Sequence, residues 1–320
     1  MTQRDKNPFS FSDTNKRYHT AAYHLRRTFG AKIARIPLDG GFSCPNKDGT
    51  CGFGGCIFCA GGSASLTARG EIEEQYRRGR AAADAKWQAR GYIPYLQANT
   101  STYGDPADLR DLYRRCAALP GAVALAIGTR ADCLSDGVLE VLEVLAEIAE
   151  EIPLLIELGM QTMHDDTLAA IRRGYDHEAF LSGYARLDTL RRSSGVRIGL
   201  HILNGLPGED EKRMLATAKE AARLLPDEVK IHTLCVLRGT EMEEIHRRGE
   251  YGPMEMGDAV ALTARQLTYL PPETVIGRIG ADAPRDQLIA PTWVRNKRAV
   301  ENALDRYLYE NDLWQGKDWE

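Results

Sequence analysis

The chain has 320 residues, 43% of them apolar and 27% charged, with a net charge of −4. That balance suits a globular protein with a large core, and it argues against an extended electrostatic footprint for nucleic acid while leaving room for a local one. No stretch reaches the roughly 18 apolar residues of a membrane span, Met1–Lys6 lacks an apolar signal core, and seven unevenly spread cysteines fit a reducing, cytoplasmic setting better than a disulfide framework.

Residues 1 to about 15 are polar and aperiodic and predict a frayed start. Arg17–Phe29 predicts a helix stopped by Gly30, and Ala31–Leu38 a first strand. A cysteine-rich loop follows, then a long helix over Glu71–Arg90. From there strands (Tyr92–Ala98, Ala122–Ile127, Leu154–Leu158, Val196–Leu203, Glu228–Val236) alternate with helices (Pro106–Leu119, Asp136–Glu150, Asp165–Ile171, His177–Ser193, Glu209–Leu225, Thr240–Gly249). Several strands are continuous apolar runs, as strands covered on both faces are. Such alternation means βαβ units and a parallel sheet.

Six units span residues 31–250. No Gly-x-Gly-x-x-Gly follows the first strand, against a dinucleotide fold. Chemistry-bearing residues end nearly every strand, as at the mouth of a barrel. The expected fold is therefore α/β, a partial (β/α)6 TIM-like barrel. Residues 1–30 form an N-terminal extension. Residues 251–320 form a C-terminal one, with a weak helix Gly257–Leu270, a short strand Thr274–Ile279 and a final helix Val294–Tyr309, packed on the barrel.

The cysteine loop reads Cys44-Pro-Asn-Lys-Asp-Gly-Thr-Cys51-Gly-Phe-Gly-Gly-Cys56-Ile-Phe-Cys59. A structural zinc site normally shows two close ligand pairs, and here only Cys56 and Cys59 form one. The glycines allow the backbone to wrap a bulky cluster and aim N–H groups at its sulfides, which tune cluster potential. An iron–sulfur cluster is the favoured reading; a zinc knuckle and a disulfide pair are the competing ones.

The strand ends are polar: Gln97-Ala-Asn99-Thr100, Gly128-Thr-Arg130, Glu157-Leu-Gly-Met-Gln161, His201-Ile-Leu-Asn204-Gly205-Leu-Pro207-Gly208, Lys230-Ile-His232 and Arg238. Glu157 lies in an apolar strand, where a carboxylate is costly without partners. A ligand hydroxyl or an ion pair with Arg130 or Lys230 would serve equally well. Singly, His201 and His232 read as core histidines, the Asn204–Gly208 stretch as a turn, and arginine pairs such as Arg172-Arg173 as solvated helix faces.

Cys44–Thr50, Gly54–Cys59, Glu157–Thr162 and Asn204–Gly208 together resemble the radical S-adenosylmethionine (SAM) superfamily, and more narrowly the YtqA/YhcC group of Elp3-like radical SAM proteins, from about Tyr18 to Tyr309. The resemblance implies that Cys44, Cys56 and Cys59 hold three irons of a [4Fe-4S] cluster, with SAM on the fourth. Phe58 would lie by the adenine. Gln97, Asn99 and Thr100 would occupy the place where the superfamily holds the SAM amino group, and Glu157 would meet the ribose. Asn204, Gly205 and Pro207 would line the back wall, with Arg130 and Gln161 as further cofactor contacts. Cys51 stands where relatives have another residue and is left outside the ligand set. Cys116, Cys133 and Cys235 are scattered, so no second cluster is expected.

The implied reaction is cleavage of SAM to a 5′-deoxyadenosyl radical that abstracts a substrate hydrogen, with a low-potential electron donor such as flavodoxin or ferredoxin. His201, Lys230, His232 and Arg238 are the catalytic candidates, with Arg278 and Trp293–Lys297 also on the substrate side. Similarity to the YtqA branch implies tRNA as partner, at the wobble uridine of the anticodon loop, where a carboxymethylaminomethyl group becomes aminomethyl. The competing functions are radical SAM chemistry on a small metabolite or peptide, and a non-enzymatic zinc or iron–sulfur protein.

Overall fold

A computed structural model describes residues 9–60, 70–148 and 152–319 of the chain. The first eight residues, expected to be frayed, and Gly61 and Gly62 after the cysteine loop lie outside the described residues.

Helix α1 (Ala21–Phe29) starts under a Thr20 side-chain cap and ends on Gly30 in the left-handed region, where glycine avoids a Cβ clash. Strand and helix then alternate through β1 (Ile33–Leu38), α2 (Ile72–Trp87), β2 (Gly91–Leu96), α3 (Pro106–Ala117), β3 (Leu125–Thr129), α4 (Asp136–Ile148) and β4 (Leu154–Gln161). Helices α5 (Asp165–Ala170) and α6 (His177–Ser194) lead to β5 (Arg197–Asn204), α7 (Glu211–Arg223) and β6 (Glu228–Thr233). Aspartates at 105, 176 and 210 cap α3, α6 and α7 by accepting from first-turn N–H groups, which is why each helix begins where it does.

These strands form one parallel sheet that curls into a half-barrel, as the alternation predicts. The sheet has seven strands, not six. The tail segment read as a separate short strand is β8 (Val275–Ile279), which pairs parallel with β6 from Glu228↔Val275 to Ile231↔Ile279. Its crossover helix is α9 (Met256–Tyr269). The repeat was hidden because an extra helix, α8 (Glu241–Arg247), and a loop interrupt it.

The β6 segment was also expected to reach Val236. It stops at Thr233, where the Leu234 N–H donates to the Asn204 carbonyl. The chain then bends across the mouth into β7 (Val236–Leu237), antiparallel to β9 (Leu288–Ala290). The final helix begins later than expected, as α10 (Lys297–Glu310) after a single 3-10 turn. Its Leu304 and Leu308 join Leu267 of α9 in the core that runs between the sheet and the helices. The outer edge of β8 is covered by the entry to α1, where the Ile276 N–H donates to the His19 carbonyl at 2.7 Å. Covering an edge in this way removes a template for pairing with another chain. Among the described residues no helix is long and apolar enough to cross a membrane.

Candidate active site

The loop after β1 closes over the C-terminal ends of the strands. The Cys44 carbonyl accepts from the N–H of Lys47 at 2.8 Å, the Pro45 carbonyl from Cys51 at 2.7 Å, and the Asn46 carbonyl from Gly55 at 2.8 Å. These bonds fold 45–55 into a small hairpin that projects Cys51 outward and returns Cys56 to the interior. Gly55 sits at φ +84°, where a Cβ would press on the Lys47 side chain. The loop is pinned to the rest of the barrel by Asn46, whose Nδ2 donates to the Arg172 carbonyl at 2.5 Å, and by Ile57, whose N–H donates to the Ile171 carbonyl. Cys44, Cys56 and Cys59 thereby line one cavity of about 320 Å³ at the mouth; Cys51 does not. All are free thiols.

Two buried guanidinium groups face those sulfurs. Arg130 makes a two-pronged pair with Asp132 at 2.8 and 2.7 Å, and its Nη1 lies 4.0 Å from Cys44 Sγ. Arg173 Nη2 donates to the Gly159 carbonyl at 2.7 Å, and its Nη1 lies 3.9 Å from Cys56 Sγ. Both stack on the Tyr175 ring at 4.8 Å. Arg173 has no carboxylate partner among the described residues, and its buried Nε has no hydrogen-bond acceptor. A buried cation without an anion is strongly unfavourable, so this corner of the cavity calls for negative charge. Three thiolates carrying an iron–sulfur cluster supply it. Among the described residues no three His, Cys, Asp or Glu side chains converge on a single-ion site. The donor set fits a multinuclear cluster, each thiol serving its own iron.

The floor of the cavity is a buried ionic network inside the half-barrel. Glu157, fully buried on β4, accepts from Arg35 Nη1 at 2.8 Å, Lys230 Nζ at 2.5 Å and His201 Nε2 at 2.9 Å. Arg35 also binds Glu228 at 2.5 Å. Of the two ion pairs foreseen for Glu157, the one with Lys230 forms. Arg130 is committed to Asp132 instead. Burial alone would push the Glu157 carboxyl up, but the Lys230 and Arg35 cations hold it well below the usual range. Burial lowers Lys230 to about 8 despite that carboxylate. Burial likewise lowers His201, against the pull of its bond to Glu157, and lowers His232 further with His201 beside it, their rings 5.0 Å apart. The cavity thus offers two neutral imidazoles above a charged floor.

Phe58, Gln97, Asn99, Thr100, Arg130, Glu157, Gln161, His201, Lys230 and His232 all line this cavity, as does Arg278. Asn99 and Gln161 do so with left-handed backbones, φ +56° and +68°. Such conformations in non-glycine residues gather at functional sites. Lys47 holds Asn99 in place, its Nζ donating to Oδ1 at 2.7 Å.

Asn204, Gly205, Pro207 and Arg238 are not among the lining residues. Along β5, His201 and Leu203 face the cavity, so the alternation of the strand turns Asn204 to the other side. There it exchanges two 2.8 Å hydrogen bonds with Gln266 of α9. The Gly205 carbonyl accepts from Tyr251 Oη at 2.7 Å. Arg238 is exposed and donates from Nε to the Asp286 carbonyl.

Sequence reasoning missed Arg35, Lys47 and Arg173. Arg173 had been grouped with Arg172 as a solvated pair, and only Arg172 is exposed, bound to Glu241. The available signal was Gly174, whose φ of +81° turns the chain inward directly after Arg173. Cys235, one of the scattered cysteines, is half-buried on the cavity wall.

Residues 49–221 match the radical SAM superfamily model, and residues 226–310 the radical SAM C-terminal domain. The chain belongs to the radical SAM superfamily. It is 40% identical to the YtqA protein of Bacillus subtilis, over 97% of this chain and 95% of that one. It is 27% identical to a tRNA uridine(34) acetyltransferase of Methanocaldococcus jannaschii, covering 83% of this chain but only 54% of that longer protein. Among solved structures it resembles an archaeal Elp3 from Methanocaldococcus infernus, with TM-score 0.65 at 18% identity over 88% of this chain and 64% of that one, a likeness of fold. As a radical SAM enzyme it uses a [4Fe-4S] cluster and SAM.

Proposed function

We propose that this radical SAM enzyme modifies the wobble uridine of tRNA, converting a carboxymethylaminomethyl arm to aminomethyl: SAM would serve as two-electron oxidant of the arm's terminal N–CH2 unit, ending as methionine and 5′-deoxyadenosine, and water would then release the two-carbon piece as glyoxylate. The observation that carries this reading is the similarity, over most of the chain, to an archaeal protein named as a tRNA uridine(34) acetyltransferase. The cavity supports it: Arg278 lines its wall and shares the single carboxylate of Asp282 with Lys297, leaving positive charge there for a carboxylate-bearing arm.

In this reading Cys44, Cys56 and Cys59 hold the cluster, with Arg130 and Arg173 balancing its charge. Gln97, Asn99, Thr100 and Gln161, on the neighbouring strand ends, and Phe58, next to Cys59, orient SAM. Glu157 is available to a ribose hydroxyl through the acceptor capacity left beside its three donors. His201 and His232, kept neutral, can accept or pass a proton near the substrate arm without adding charge. The 45–55 hairpin and the 278–283 segment border the mouth and limit water there. Low-potential electrons come from a flavodoxin- or ferredoxin-type donor.

The test is anaerobic reconstitution with iron and sulfide, then dithionite and SAM with or without tRNA carrying the carboxymethylaminomethyl arm. Formation of 5′-deoxyadenosine that rises with tRNA, together with loss of the carboxymethyl mass at the wobble position, is the expected result. A tRNA-independent signal with unchanged tRNA mass would refute the substrate and leave the enzyme class standing.

A further inference from the structure

Many arginines on the outer helices are matched by carboxylates. Arg77 pairs with Glu74, Arg115 with Glu73, and Arg223 with Glu220. The strap that runs from β8 to the start of α10 is different. Residues 278–298 carry five basic and two acidic side chains, a surplus of three positive charges in a chain whose net charge is −4. The ion pairs within it are Arg278 with Asp282 at 3.2 Å, and Lys297 with the same carboxylate. Arg285, Arg295 and Arg298 are exposed, as is Arg238 beside them, and none of the four has an ion-pair partner among the described residues. Two are held by main-chain oxygens instead: Arg238 Nε by the Asp286 carbonyl at 3.2 Å, and Arg295 Nη2 by the Arg285 and Leu288 carbonyls at 3.1 and 3.0 Å. Such bonds orient a guanidinium without neutralising it.

Two further observations separate this patch from ordinary surface charge. Of the unmatched arginines elsewhere, Arg27 and Arg114 sit in the last turns of α1 and α3, where the helix dipole favours a cation, and Arg110 and Arg306 stand singly within α3 and α10. Lys297 and Arg298 occupy the first turn of α10, which has no acidic residue, so the dipole there disfavours them. The patch is also rigid and borders the mouth. The Arg238 N–H donates to the Gln287 carbonyl at 2.9 Å, β7 pairs with β9, and Trp293 Nε1 donates to the Met254 carbonyl at 3.0 Å. Leu237, Ala281 and Ala283, adjoining these cations in the chain, line the cavity.

We propose that the 278–298 strap, with Arg238, is a phosphate-contact surface that seats the backbone of an RNA substrate so that one nucleotide reaches the cavity; this rests on the tRNA reading above. Fixed cations without counter-charges release counterions on binding a polyanion, whereas those already paired with carboxylates gain less. An acidic electron-transfer protein is the other polyanion of suitable charge. It is disfavoured because, seated here, it would obstruct the substrate's entrance.

The test is equilibrium binding of fluorescein-labelled tRNA to the reconstituted protein across a series of KCl concentrations. The variants are R238Q/R285Q/R298Q and, as a control of equal charge change on the outer helices, R77Q/R115Q/R223Q. Melting temperature and cluster absorbance establish that each variant is folded and loaded. The strap variant should bind at least tenfold more weakly near physiological salt, and its log–log salt slope should be shallower by about 2–3, at roughly 0.7–0.9 per phosphate contact. The control should bind as wild type does. If the strap variant binds with wild-type affinity and slope, or the control weakens equally, the surface assignment is overturned and the tRNA reading stands. If the wild type shows no salt-dependent tRNA binding, both fall. If the strap variant keeps tRNA binding but loses turnover with flavodoxin and not with dithionite, the strap receives the reductant and the RNA assignment is overturned.

Discussion

Replacing Glu157 by Gln should expose how much the floor of the cavity depends on one carboxylate. The wild-type side chain is fully buried and balances Lys230 at 2.5 Å and Arg35 at 2.8 Å. Glu157→Gln leaves Arg35 with Glu228 and leaves Lys230 buried without an anion. Breaking a buried pair from one side costs about 3–5 kcal/mol. With an unfolding entropy of about 2.1 cal/mol/K per residue over 320 residues, that is a fall of about 4–7 °C in melting temperature. Differential scanning calorimetry measures it.

The companion variant is Glu157→Gln/Lys230→Met, which removes both charges and keeps the volume. It should recover about 2 kcal/mol or more relative to the sum of the single changes. The pH dependence has a fixed sign. The folded carboxyl titrates well below its unfolded value. Its contribution is therefore complete above the unfolded carboxyl range and is lost as pH falls toward the folded value. Glu157→Gln should flatten the acid limb of the stability curve. A single-variant cost under about 1 kcal/mol, or strict additivity in the cycle, would refute the ion-pair account.

Other outcomes follow from the same geometry. Cys56→Ala should lose the visible iron–sulfur absorbance after reconstitution, while Cys51→Ala, whose thiol points away from the cavity, should retain it along with SAM cleavage; the reverse pattern would reassign the ligands. Arg173→Met removes a buried cation 3.9 Å from Cys56 Sγ, so the reduced cluster loses stabilisation and the midpoint potential in an EPR-monitored titration should move negative. An unchanged potential would mean that Arg173 only supports the fold. His24 is lowered to about 4 by burial and by Arg197, whose Nη1 donates to its ring at 2.8 Å. The unfolded state therefore takes up the proton first, and stability should fall by roughly 1–2 kcal/mol as pH drops from about 6.5 toward 4, solvent screening of the half-buried ring reducing the full linkage. In urea titrations His24→Gln, which keeps an acceptor for Arg197, should make that slope shallower, the remainder coming from the likewise lowered His19, His201 and His232.

Local chemistry in the sequence determined a good deal. Apolar runs and helix caps placed nearly every strand and helix, because each depends on neighbours within a few positions. The spacing of the four cysteines and the glycines among them pointed to a cluster, while it was the family resemblance that set Cys51 apart from Cys44, Cys56 and Cys59. Only the tertiary structure decided the rest. β8 could be recognised as the seventh strand only once α9 was seen to carry the chain back beside β6. Arg35, Glu157 and Lys230 lie far apart in the chain and meet because sheet register brings β1, β4 and β6 to one interior. Whether Asn204 faced the cavity or α9 turned on a single step of strand alternation, which composition does not specify. Arg173 and Arg172 are neighbours in sequence and opposites in environment: across a turn in which Arg172 and Gly174 both adopt left-handed backbones, one side chain goes inward to the sulfurs and the other stays in water. Burial and register arise from contacts between distant residues, so the charges that balance this site became legible only in the folded chain.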